Sequence, residues 1–91
     1  MSLKMTFNYR VEEAETQMNM RITPSGETAS KLPADFAVSA GYSKNLDDER
    51  ILSIVSTGIA LSLEKLKIEH DGTAEFTRED NGQVIALKLV C

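Results

Sequence analysis

Tryptophan is absent from this 91-residue chain, and three other residue types are scarce: one His, one Cys and two Pro. With no Trp, three Phe and two Tyr, the core must be built mainly from Ile, Leu, Val and Met. A lone cysteine, Cys91, excludes an intrachain disulfide, so a reducing, cytoplasmic compartment is the expectation. No stretch approaches the apolar length that spans a membrane, and the opening MSLKMTF has no signal-peptide run. Met1 to Leu3 reads as an addition foreign to the natural chain, with a natural start at Met5, and is set aside. Positive charge is also short, ten Lys and Arg against fourteen Asp and Glu, for a net −4 at pH 7. That balance argues against general affinity for phosphate backbones or anionic lipid. The five glycines form neither a dinucleotide fingerprint nor a P-loop. No repeat or low-complexity tract is present, and residues 1–91 read as one small domain.

What is there is periodic. Met5, Phe7, Tyr9 and Val11 alternate with Thr6, Asn8, Arg10 and Glu12, which reads as a half-buried strand. Met18, Met20 and Ile22 alternate with Gln17, Asn19 and Arg21. The parities differ, so the apolar sets share a face of one hairpin only if paired numbers sum to an odd value. Pairing Val11 with Met18, Tyr9 with Met20 and Phe7 with Ile22 meets that condition. With no glycine near Ala14 and Glu15, a four-residue loop is expected over a tight turn. Near the C-terminus, Asp80-Asn81-Gly82-Gln83 signals a type I′ turn. It would pair Arg78 with Ile85, Phe76 with Leu87, Ala74 with Leu89 and Glu75 with Lys88. Val84, Ala86 and Val90 on the other side suggest an interior strand.

Between the hairpins, Asn45 or Asp47 can cap a helix whose first turn carries Asp47, Asp48 and Glu49. RILSIVSTGIALSLEKLKI follows, with Gly72 just past its end. Residues 24–44 are loop or short irregular structure, with PSGETASK as loop. Phe36, Val38, Ala40 and Tyr42 suggest a further strand at about 35–43, though Pro33 and Gly41 would also bracket a short helix. The expected fold is α+β: an antiparallel sheet of two hairpins packed on one long helix, in the order β-β-(β)-α-β-β.

At 100° per residue, Ile51, Leu52, Val55, Ile59, Leu63 and Leu66 form one stripe of that helix. Ile54, Leu61 and Ile68 form a second, with Gly58 and Ser62 between them, and Ser53, Ser56, Ala60, Glu64 and Lys67 make a wet face. One sheet does not cover both stripes. Leaving the second in water forgoes about 5–8 kcal/mol, at about 1.5–3 kcal/mol per large aliphatic side chain. Either Leu32, Phe36, Val38 and Tyr42 fold over it, or a second protomer does; the latter is expected, because the middle segment offers few large apolar residues.

Chemistry-bearing residues are few. His70 beside Asp71 could form a general-base pair, but no nucleophile accompanies it, and a helix exit is an ordinary place for both. Asp47, Asp48 and Glu49 fan apart, and Glu12, Glu13 and Glu15 suit a solvated hairpin tip better than a metal site. Alternation puts Cys91 with Leu87 and Leu89 as a small terminal residue. No catalytic, cofactor or metal set is therefore expected. Asn8, Arg10, Asn19 and Arg21 share the polar face of the first hairpin and have the side chains that read base edges. The acidic tip and net charge oppose that use, because phosphate neutralisation drives nucleic-acid affinity. The leading expectation is a non-enzymatic, homo-oligomeric interaction module, with Ile54, Gly58, Leu61, Ser62 and Ile68 at the interface. The alternatives are a nucleic-acid-associated regulator using the first hairpin, and a ligand-binding or enzymatic domain with 24–44 as lid.

Overall fold

A computed structural model describes residues 3–89. The alternating arms form β1 (Met5–Glu13) and β2 (Met18–Pro24), paired antiparallel. The turn is the expected four-residue loop, closed by the Ala14 N–H donating to the Gln17 carbonyl (2.8 Å). The register is two residues from the one expected: Tyr9 faces Ile22, Val11 faces Met20 and Glu13 faces Met18. A shift of two preserves the odd sum, so every side chain keeps its face. Alternation specifies the face and leaves the register to the turn.

The same correction applies to the last hairpin, β4 (Thr73–Arg78) and β5 (Val84–Lys88). A type I′ turn needs positive φ at both central residues. Gly82 has it (73°), and Asn81 does not. Asn81 instead accepts the Gln83 N–H on its side-chain oxygen (2.9 Å). The loop widens to four residues, with the Gly82 N–H donating to the Arg78 carbonyl and the Arg78 N–H to that of Gln83, both at 2.8 Å. Phe76 therefore faces Ile85, Ala74 faces Leu87, and Glu75 faces Ala86 where Lys88 was expected. Glu75 pairs with Lys4 instead (3.2 Å).

The sheet order is β3-β2-β1-β4-β5, with β3 at Val38–Tyr42. The sheet is mixed, which corrects the expected all-antiparallel arrangement: β1 and β4 run parallel, Phe7 beside Phe76 with rings stacked 5.3 Å apart. Parallel neighbours need a crossover connection. Here α2 (Asp48–Lys65) supplies it, between β3 at one edge and β4 in the interior. Side-chain periodicity carries no information on strand direction. The expectation of an interior last strand also fails, because β5 is an edge with Val84 54% exposed. Residues 24–44 hold the expected strand and a short helix, α1 (Gly26–Lys31), where a loop was expected. Buried Thr28 of α1 accepts the Thr6 N–H (2.8 Å). Leu3, set aside as a foreign addition, packs against the core, and its carbonyl accepts the Asp71 N–H (3.1 Å). Cys91 and Val90 lie outside the described residues.

Asp47 caps α2, its carboxylate accepting the Arg50 N–H (2.9 Å). The helix ends well short of Gly72. The Ile68 N–H donates to the Leu63 carbonyl (3.0 Å) and that of Lys67 to Glu64 (3.1 Å), with Lys67 at φ 57°. This is a Schellman closure with lysine in the left-handed position usually taken by glycine. Ile51, Leu52, Ser56, Ile59, Ala60 and Leu63 are buried under α2. Ser56 and Ala60 were expected on the wet face; both are small enough to be buried beside Ile59 and Leu63. The Ser56 hydroxyl is satisfied by donating to the Ser53 carbonyl (2.8 Å). Among the described residues no helix is long and apolar enough to cross a membrane.

Candidate interaction surfaces

The buried face of α2 centres between Ile59 and Leu63, and at 100° per residue Ile54 and Leu61 point to the opposite side. They are 62% and 46% exposed. Leu32, Phe36, Val38 and Tyr42 do not cover them; those four pack into the core. Gly58 lies between the two, and a Cβ built there would meet nothing within 4 Å. Ser62 is half-buried and turns inward along its own helix, its hydroxyl donating to the Gly58 carbonyl (3.0 Å). Ile68 does not belong to this surface: it follows the Schellman closure and packs against the core. Leu66, expected on the covered stripe, is the C-cap and 46% exposed. The outer face is thus Ile54, Thr57, Gly58 and Leu61, with Glu49 and Arg50 at one end and Glu64 and Lys65 at the other.

The second surface is the side of the sheet away from α2. Asn8, Arg10, Asn19 and Arg21 all lie on it, in a different pairing from that expected: Asn8 faces Thr23, Arg10 faces Arg21, and Glu12 faces Asn19. The Arg10 Nε donates to Glu79 Oε2 (3.1 Å). On β3, Ser39 faces Arg21 and Gly41 faces Asn19. The acidic tip is partly neutralised by Lys44, which donates to Glu13 Oε2 and to the Glu15 carbonyl, each at 3.1 Å.

A third cluster escaped sequence reasoning. Arg78 sits in phase with Ala74 and Phe76, on the helix side of β4. Its Nη1 donates to Asp48 Oδ2 and its Nε to Asp80 Oδ1, both at 2.7 Å. The buried Tyr9 hydroxyl donates to the same Asp48 oxygen (3.2 Å). Burial, then the adjoining Asp48 carboxylate, pushes the Tyr9 phenol up to about 12. Tyr42 is raised by the same two causes, and its buried hydroxyl has no hydrogen-bond partner within bonding distance among the described residues. An inward-phased arginine on a strand was the available signal, since such a cation needs a partner. The cluster fastens the start of α2 to β1 and β4, and its carboxylate is committed to Arg78 and Tyr9.

His70 and Asp71 serve their turn. His70 Nδ1 accepts the Gly72 N–H (3.0 Å), and Asp71 Oδ1 accepts both the N–H (2.9 Å) and the hydroxyl (2.6 Å) of Thr73. Those Thr73 bonds hold the Asp71 carboxyl below its ordinary pKa. Among the described residues, no three His, Cys, Asp or Glu stand together as a metal site. No family model matches the chain, and no curated protein or solved structure matches it either.

Proposed function

We propose that this chain is a non-enzymatic self-association module whose contact surface is the outer face of α2. The observation that carries the reading is the exposure of Ile54 and Leu61 on the side of α2 opposite the core, uncovered by any of the described residues. Large aliphatic side chains grouped on one exposed face mark a contact surface more often than isolated ones do. A second copy is the favoured occupant because the face is self-complementary about Thr57 and Gly58. In an antiparallel pair of α2 helices, Ile54 of each copy meets Leu61 of the other. The same register sets Arg50 opposite Lys65, with Glu49 and Glu64 each one residue away to offset the like charges. Open space over Gly58 lets the two backbones approach closely there. A two-fold axis satisfies both copies with one set of residues.

The test is a cross-link at the axis. Thr57→Cys, in a Cys91→Ser background, is expected to form a symmetric disulfide under mild oxidation, faster than Lys31→Cys on α1. Equal rates at the two positions would overturn the interface.

A further inference from the structure

Arg10 and Arg21 face each other directly across β1 and β2 on the open side of the sheet. Like charges at directly opposed positions repel, and antiparallel pairs usually avoid them. Arg10 is steadied by Glu79. Arg21 has no ion-pair or hydrogen-bond partner among the described residues. Beyond Arg21, β3 presents only Ser39 and Gly41. These small residues leave a hollow of about 360 Å³, lined by Arg10, Arg21, Glu12, Asn19, Ser39 and Gly41. A Cβ at Gly41 would stand 2.8 Å from Gln17 Nε2, the end of an exposed side chain that can turn aside. Gln17 in turn donates to Asn19 Oδ1 (2.9 Å), which leaves the Asn19 amide nitrogen available to donate.

We propose that this hollow binds the carboxylate of a small zwitterion of the amino-acid class. Arg21, with Arg10 beside it, supplies the planar fork that matches a carboxylate in a two-bond grip. Ser39 and Asn19 add neutral donors. Glu12 lies two residues from Arg10 on the same face of β1, about 7 Å along the strand. Its carboxylate receives the ammonium of the same ligand. Glu12 in the wall and Glu79 on Arg10 both oppose a second negative charge, which disfavours phosphate. The volume lies in the range of small-molecule sites, about 300–1,000 Å³. This site is independent of the α2 surface, and it gives a reason for two arginines to stand opposed.

The test follows the amide signals of the whole chain while L-alanine, acetate or inorganic phosphate is added. Saturable shifts confined to residues 10–12, 19–21 and 39–41 are expected, with L-alanine bound more tightly than acetate and acetate more tightly than phosphate. Arg21→Lys keeps the charge and removes the fork, and should weaken L-alanine binding about tenfold, the usual scale for losing a charge-assisted hydrogen bond. Glu12→Gln should weaken L-alanine and leave acetate unchanged or improved. Both side chains are exposed, so the variants test the site and not the fold. Three results would overturn the proposal: shifts that never saturate, L-alanine binding unaffected by Arg21→Lys, or phosphate bound more tightly than both carboxylates.

Discussion

Asp48 is the residue on which several elements converge, since it holds Arg78 of β4 and Tyr9 of β1 from the first turn of α2. Both partners of the Arg78–Asp48 pair are only about a quarter exposed, so the interaction is screened less than a surface ion pair. Asp48→Asn should destabilise the chain by about 1–2 kcal/mol, read from urea unfolding. The same substitution should lower the Tyr9 pKa from about 12 towards 10 without reaching it, because burial remains the larger cause. Tyr9 also dictates an alkaline limit. Its pKa is raised on folding, so the stability it contributes is complete below pH 10 and is lost as pH climbs towards 12. Phenolate absorbance, followed together with unfolding, should show that loss above pH 10 and none attributable to Tyr9 near neutrality. At this scale the sequence was half legible. The phase of Arg78 on β4 announced an inward cation, but its partner lies thirty positions earlier, and no local pattern links the two.

At the scale of elements, periodicity placed side chains on faces and left the rest to backbone chemistry. The faces of β1, β2, β4 and β5 follow from alternation alone, yet both hairpin registers are two residues from those expected, because each register is decided inside its loop. Asn81 has the right chemistry for positive φ and uses its side chain to bond Gln83 instead. The end of α2 was hidden for a related reason: Lys67, and not a glycine, takes the left-handed position. A non-glycine residue there is strained by about 1–2 kcal/mol. Lys67→Gly should therefore stabilise the chain by about 0.5–1 kcal/mol after the added flexibility of the unfolded state is counted, seen as a higher midpoint in urea. The face of α2 was legible for Ile54 and Leu61 and misread for Ser56 and Ala60, because hydropathy alone does not show that a small residue is buried under a helix.

For the whole molecule, the parallel pairing of β1 with β4 was not legible, since strand direction depends on where the crossover lands. The net charge was legible at once and still bears on partners. With −4 overall and Glu12, Glu13 and Glu15 beside the arginines, duplex DNA should not bind tightly or with steep salt dependence in a gel-shift titration. Whether two copies meet through α2 is read from sedimentation of the intact chain at micromolar concentration, beside Leu61→Glu. Leu61 is exposed in the single chain, so a charge there leaves the core untouched while placing an unpaired carboxylate in the dimer seam. A wild-type mass of twice the chain, with Leu61→Glu at the mass of one chain and an unchanged circular dichroism spectrum, is the expected result. A wild type that sediments as one chain, or a Leu61→Glu variant that stays dimeric, would rule out the α2 interface.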